Sequence, residues 1–329
     1  MARVVRFHQH GGPEVLRIEE IAIAPPARGE VQIRSKALGL NRAEASLRRG
    51  SYIETATLPS GLGLEVAGIV AAIGEDVEGF APGDAVSIVP PVSMVRWPAH
   101  AELATFPAEL VVKHPPALGF ETAAAVWMQY LTAFGALVDL ARLGRGEFVV
   151  ITAASSSVGL AAIQVANRVG AVPIAVTRTS AKAQALREAG ATHVIASAEQ
   201  DLQSRLEQIA GPNGVRVVLD AVGGPAFVPL TASMAPGGIL IEYGGLSPEP
   251  TPFPLANVLG KSLTLRGYLV HEIVRDPARL AAAKAFILDG LADGALRPII
   301  ARTFPFEEIV DAHRYLESNT QLGKIVVTV

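Results

Sequence analysis

The sequence contains no cysteine. Disulfides, thiolate nucleophiles and every zinc site that needs a cysteine ligand are therefore excluded. The absence fits a reducing compartment, and the cytoplasm is the expected location. There is no excess of positive charge: 28 Lys and Arg against 31 Asp and Glu leave a net charge of −3. A nucleic-acid partner usually leaves a basic footprint, so none is expected. The same sign does not favour anionic membranes. The start, Met1-Ala2-Arg3-Val4-Val5-Arg6, lacks the apolar region of a signal peptide. Two uncharged stretches approach the length of a membrane span. Thr122–Val138 is short and carries Gln129, Tyr130 and Thr132, and Phe148–Asn167 has three serines in its middle. No membrane partner is expected.

What is present is globular in composition, with 50% hydrophobic and 18% charged residues. A chain of 329 residues exceeds one ordinary core, so two domains are expected. The first third is β-rich. Val4–Phe7, Val15–Ile23 and Val31–Leu38 read as strands, broken by Gly11-Gly12-Pro13 and by the segment from Pro25 to Gly29. Val66–Ile73 and Ala85–Val89 are strands with the turn Pro82-Gly83-Asp84 between them. Thr122–Leu140 is alanine-rich and reads as a buried helix.

Strands and helices then alternate. Phe148–Thr152, Val172–Thr177, His193–Ala196, Val215–Asp220 and Ile239–Tyr243 read as strands. Val158–Val169, Ser180–Ala189, Glu199–Ala210 and Phe227–Met234 read as the helices between them. This spacing predicts a parallel sheet covered by helices, a doubly wound α/β domain. The pattern is mixed again at the end, with strands at Leu263–Val270, Ile299–Phe304 and Lys324–Val329 and helices at Pro277–Leu291 and Phe306–Ser318. The expected organisation is an α/β domain over residues 123–267, inserted into a mainly β domain of residues 1–122 and 268–329. Ligands usually sit in a cleft between two such domains.

The strand Phe148–Thr152 runs into Ala153-Ala154-Ser155-Ser156-Ser157-Val158-Gly159 and then into a helix. A dinucleotide fold needs a tight strand-to-helix turn here, so that backbone N–H groups face the pyrophosphate. The usual pattern is GxGxxG. Ala154 and Ser156 stand at its first two glycine positions, and Gly159 is the third. Serine hydroxyls at Ser155, Ser156 and Ser157 add donors to phosphate oxygens. Two readings are open: a phosphate cradle, or a serine-rich N-cap of an ordinary α/β helix. The βαβ context favours the cradle.

The second strand of such a unit ends near the adenosine ribose, where an acidic residue binds the 2′-hydroxyl of NAD. Here the strand runs into Thr177-Arg178-Thr179-Ser180-Ala181-Lys182, with no Asp or Glu nearby in sequence. Arg178, Ser180 and Lys182 can each donate to a 2′-phosphate. NADP(H) is the expected cofactor. The alternative is that both cations are solvated surface charges.

At this point the chain resembles a known family, the medium-chain dehydrogenase/reductase superfamily, in its zinc-free quinone oxidoreductase (zeta-crystallin-like) branch. The resemblance runs nearly end to end. It is carried by Gly11-Gly12-Pro13-Glu14-Val15-Leu16, Leu40-Asn41-Arg42-Ala43-Glu44, Arg49-Gly50-Ser51-Tyr52 and the LPSGLGLEVAG segment from Leu58 to Gly68. Further on it includes Leu131-Thr132-Ala133, Asp220-Ala221-Val222-Gly223-Gly224 and Gly323-Lys324-Ile325-Val326-Val327. It implies a GroES-like, mainly β catalytic domain with an inserted Rossmann domain. Zinc-dependent relatives carry a Cys after the Asn41 segment and a His-Glu pair where this chain has Leu64-Glu65. The family's first metal shell is thus missing. His8 and His10 lack a matching third ligand, so no metal is expected.

The implied activity is hydride transfer from NADPH to a quinone, or to an α,β-unsaturated carbonyl such as an enone or enoyl thioester. A non-catalytic NADPH-binding protein is the reading from another class. The resemblance places Asn41 and Tyr52 beside the nicotinamide and substrate, as candidate catalytic residues. A loop cap for Asn41 and a packed rim aromatic for Tyr52 remain open. Gln129, Thr132, Val222, Tyr243, Gly244, Tyr268, Leu269 and Asn319 are the further cofactor candidates, with plain core packing open for Thr132. Trp127 is expected in the core. Some members carry a Tyr near the 2′-phosphate where this chain has Ser197. A homodimer is implied, paired across the strand at about Leu263–Gly267.

Overall fold

The fold was analysed from a computed structural model, and the structure describes residues 1–115 and 118–329. The chain divides into two compact units, residues 1–128 with 298–329 and residues 129–297. The first unit opens with β1 (Ala2–Phe7), β2 (Leu16–Ile21), β3 (Glu30–Gly39), β4 (Ser60–Gly61), β5 (Glu65–Ile73), β6 (Ala85–Ile88), β7 (Leu103–Pro107) and β8 (Val111–Lys113). A helix that the sequence reading did not find, α1 (Arg42–Arg49), follows β3, and α2 (Phe120–Ala123) and α3 (Trp127–Phe134) follow β8. The signal for α1 was present. Glu44 stands three residues after Asn41 and accepts its backbone N–H at 3.0 Å, and Gly50 ends the helix in the left-handed region.

The second unit supplies β9 (Phe148–Ile151), α4 (Ser157–Arg168), β10 (Val172–Thr177), α5 (Ala183–Glu188), β11 (His193–Ala196) and α6 (Leu202–Ala210). Then come β12 (Val215–Asp220), α7 (Phe227–Ala232), β13 (Met234–Glu242), α8 (Leu255–Lys261), β14 (Thr264–Gly267), α9 (His271–Val274) and α10 (Pro277–Ala292). Its six strands are all parallel in the order β11-β10-β9-β12-β13-β14. In the unit's own count this is 3-2-1-4-5-6, the order of a dinucleotide-binding Rossmann sheet, with its switch point between β9 and β12. The strands are near-continuous apolar runs because the sheet is covered; Val150, Ile174, Val218 and Leu240 are all fully buried.

The chain ends with β15 (Ile300–Pro305), α11 (Ile309–Ser318) and β16 (Lys324–Thr328), back in the first unit. There, β16 pairs with β3 in a seven-stranded sheet, and β1 joins β2 and β4 in a three-stranded one. Phe7, Ile33, Leu38, Phe106 and Val327 form part of the core of this unit.

The second boundary falls at Arg297, thirty residues beyond the expected one. The reason is packing. Arg279 of α10 forms an ion pair with Asp139 at 2.5 Å, Phe286 packs against Phe134 with the rings tilted and their centroids 5.2 Å apart, and the Tyr268 hydroxyl donates to the Leu131 carbonyl at 3.3 Å. The expected strand Leu263–Val270 is shorter, since α9 begins at His271. The apolar segment 120–140 is long enough to span a membrane, but 78% of its window is buried inside the protein. It is a core helix, ending in a π-helical stretch at Gly135–Leu140.

Candidate active site

The strand β9 ends at the switch point, and the serine turn leaves it there. Ser156 caps α4, its Oγ accepting the N–H of Gly159 at 3.1 Å. Ser156 is thus the N-cap of the helix. Ala153 holds φ at 43°, in the left-handed region where a non-glycine residue is uncommon. Gly159 is required by contact: a Cβ there would lie 2.6 Å from the backbone of Ala154. This is the close helix–strand approach expected of the third glycine in a dinucleotide turn. The turn thereby presents the N-terminus of α4, with the Ser155 and Ser157 side chains on it.

The structure brings Ser155 together with the end of β10. Lys182 Nζ donates to Ser155 Oγ at 3.2 Å. Burial, and then the charge of Arg178, holds the Lys182 ammonium below its ordinary range. The two positive charges thus repel one another near the serine turn, and a dianion bound there would relieve that repulsion. Arg178 and Ser180 are exposed and available to it. One acidic residue was missed in sequence. Glu199, past the end of β11, accepts the Ser180 N–H at 2.9 Å. It arrives because β11 pairs in parallel with β10, which sets residues 19 positions apart side by side. Ser197 lies at the same edge, its hydroxyl donating to the Thr177 carbonyl at 3.3 Å.

Below the turn, Thr152 and Asp220 join β9 to β12. The Thr152 hydroxyl donates to Asp220 and accepts the Ala221 N–H at 2.9 Å. Asp220 also accepts the N–H groups of Val222 at 2.9 Å and Gly223 at 3.1 Å, which fixes the loop bearing Val222. Glu242 is its register partner on β13, and both Glu242 oxygens are buried without a hydrogen-bond partner among the described residues. Burial, and then the charge of Asp220, pushes the Glu242 carboxyl up to about 9. A carboxyl whose folded value is raised holds its proton in the native state and releases it on unfolding. Its effect on stability therefore worsens as pH rises from the unfolded value toward about 9. The Glu242→Gln variant is expected to gain in Tm over the wild type by an amount that grows between pH 5 and pH 9. Melts showing a constant offset across that range would refute the assignment.

The other candidates in this unit are placed as follows. Tyr243 hydrogen-bonds Ser156 through its side chain, and burial raises its phenol above the ordinary range. A Cβ on Gly244 would lie 2.9 Å from the Ala221 carbonyl oxygen, so glycine is needed there to pass the neighbouring loop. Gln129 and Thr132 are buried on α3, at 2% and 5% exposure. Tyr268 is buried with its hydroxyl given to Leu131, while Leu269 is exposed.

In the first unit, Asn41 lies in a buried polar network. Its Oδ1 accepts from Lys324 Nζ at 2.7 Å, and its Nδ2 donates to the Gly39 carbonyl and to Glu65 Oε2, both at 3.1 Å. Lys324 also forms a buried ion pair with Glu65, whose other oxygen accepts the Met128 N–H at 2.8 Å. The side chain of Asn41 is thus oriented on every side by the protein. Tyr52 is half-buried, and burial pushes its phenol up to about 12, so it stays protonated as a donor. Asn319 caps α11 in the left-handed region, and its amide oxygen accepts from Arg42. Trp127 is core, its indole N–H donating to Ser87 at 2.9 Å.

The comparisons with known proteins agree with this architecture. Residues 27–116 match the alcohol dehydrogenase GroES-like domain, and residues 157–287 match the zinc-binding dehydrogenase family. The chain is 34% identical to quinone oxidoreductase 1 of Escherichia coli (strain K12), over 98% of both chains. It belongs to the quinone oxidoreductase branch of the medium-chain dehydrogenases. The crystal structure of Escherichia coli quinone oxidoreductase complexed with NADPH is similar over 100% of both chains, with a TM-score of 0.91 and 32% identity. The CurK enoyl reductase structure is similar over 99% of both chains, with a TM-score of 0.88 and 25% identity. The present chain has no cysteine at all.

Proposed function

We propose that this chain is an NADPH-dependent quinone reductase. The observation that carries the cofactor reading is the hydrogen bond of Lys182 to Ser155 in the serine turn, beside the exposed Arg178, at the carboxyl ends of a 3-2-1-4-5-6 sheet. The N-terminus of α4 and the hydroxyls of Ser155 and Ser157 hold the pyrophosphate. Arg178, Ser180 and Lys182 hold the 2′-phosphate. Bound NADPH supplies the hydride. Reduction of a quinone to the hydroquinone also takes up a proton, and in this reading the Tyr52 hydroxyl donates toward the developing oxyanion. Asn41, fixed by Lys324 and Glu65, positions the reacting groups. The likeness to NADPH-complexed quinone oxidoreductase supports cofactor and acceptor alike.

An enone or enoyl-thioester acceptor is the second reading, supported by the likeness to CurK enoyl reductase. Cytoplasmic location and a homodimer belong to the proposal. β14 is an edge strand, and Phe253, Leu255 and Leu259 of the same unit are exposed apolar side chains suited to a second copy.

The test is NADPH oxidation with 1,4-benzoquinone, 9,10-phenanthrenequinone, 1-octen-3-one and crotonyl-CoA. The quinones are expected to be reduced fastest. Faster reduction of crotonyl-CoA or 1-octen-3-one would transfer the assignment to the second reading. Tight NADPH binding with no turnover of any acceptor would leave a binding protein and end the enzyme reading.

A further inference from the structure

We propose that Glu44, His100 and His313 form a buried site for one divalent transition-metal ion of the zinc class. The positions differ from those at which dehydrogenase relatives hold zinc, since neither Leu64 nor a residue of the Asn41 turn is a donor. The three donors come from three elements: α1, the extended segment before β7, and α11. Their ligand atoms all lie within 4.8 Å of one another, and Glu44 Oε1 stands 3.6 Å from His100 Nε2. Glu44 and His313 have no exposed surface, and His100 has 1%.

The cluster lacks what a protein interior normally supplies. All four ring nitrogens of His100 and His313 are buried without a hydrogen-bond partner among the described residues. Each neutral imidazole carries one N–H donor and one acceptor, so two donors and two acceptors are orphaned at one spot. Among the described residues Glu44 forms an ion pair with no Lys or Arg; its carboxylate accepts the N–H groups of Asn41 at 3.0 Å and Leu64 at 3.2 Å. Lys324 and Arg48 are the cations that face the cluster, and each is taken by its own carboxylate, Glu65 and Glu317. A neutral imidazole, with one ring nitrogen free of its proton, is the form that ligates a metal. Room for the His100 ring is made by Gly63, where a Cβ would lie 2.4 Å from His100 Cδ2.

Two imidazoles and one carboxylate make a zinc donor set, with a fourth position for water. Bonds of about 2.0–2.1 Å require donors roughly 3.3 Å apart, so the side chains close by about an ångström around the ion. Such an ion would tie α1 to α11 directly behind Asn41, because Glu44 also accepts the Asn41 N–H.

The test uses the full-length protein, purified without chelator from zinc-supplemented medium and assayed by elemental analysis. About one zinc per chain is expected in the wild type, falling below about a tenth in His313→Gln and in His100→Gln, with His8→Gln unchanged. Wild-type protein prepared in chelated medium should gain visible d–d bands with Co²⁺, and its Tm should rise by about 4 °C or more with Zn²⁺. These last two readings need no variant to fold. Folded wild type with less than a tenth of an equivalent of any metal, no Co²⁺ bands and no Tm response would overturn the proposal and assign the cavity to water.

Discussion

Replacing Arg178 with aspartate is expected to invert the cofactor preference, with the NADPH/NADH ratio of kcat/KM falling by about a hundredfold or more. Arg178 is exposed, makes no ion pair among the described residues, and stands near enough to Lys182 to depress its ammonium. Its positive charge has no internal use. A charge-assisted hydrogen bond to a 2′-phosphate contributes roughly 1.5–3 kcal/mol, and each 1.4 kcal/mol is about tenfold. Aspartate removes one such bond and adds repulsion, since Glu199 already brings a carboxylate to the Ser180 N–H. The same two carboxylates suit a ribose with both hydroxyls free, so NADH binding should improve. Fluorescence titration of each cofactor separates binding from turnover. An unchanged ratio in the variant would show that Arg178 is only a solvated charge.

The Arg178 region shows how far the sequence reaches. The strand, turn, helix, and then a basic strand end are local features, and periodicity and spacing reveal them directly. Gly159 is local in the same way, because one glycine in the turn determines how closely α4 can approach β9. Glu199 was invisible because strand pairing, not sequence distance, puts it beside Ser180. The fate of Asn41 was hidden for the same reason. Its amide is oriented by Lys324, which is 283 positions away, so neither residue announces the other. The helix α1 is hard to find in the sequence because it is only eight residues long and five of them are polar or charged, so no apolar run marks it and its caps are the clearest signal. The compact units divide at Arg297 and not near residue 267, because composition changes where β14 ends, whereas the segment after β14 goes on packing against residues 131–139. The two buried histidines of the Glu44 cluster lie on elements far apart in the chain, so no spacing announces them, whereas His8 and His10 stand two residues apart.

Lys324→Met is expected to be among the most destabilising single substitutions in the first unit, at about 3–5 kcal/mol. The Lys324 side chain has no exposed surface, and Glu65 has 1%. Removing the ammonium leaves Glu65 as an uncompensated buried carboxylate and strips Asn41 Oδ1 of its donor. Water cannot easily compensate, since the strand and helix backbones close over the site. A Cβ on Gly39 would lie 2.1 Å from the Ala124 carbonyl oxygen and 2.9 Å from Lys324 Cε. The same tightness means that the larger Arg guanidinium will not substitute for Lys. The loss belongs to the stranded charge and not to the missing aliphatic stem, so it should be recovered by Lys324→Met combined with Glu65→Gln. Glutamine keeps an oxygen for the Met128 N–H and carries no charge. Denaturant unfolding of the wild type, both single variants and the double variant gives the coupling directly. The double variant is expected to be more stable than Lys324→Met by about 2 kcal/mol or more. If it is no more stable, the ion pair is not what holds Asn41, and β16 must be fixed to β3 by backbone pairing and apolar packing alone.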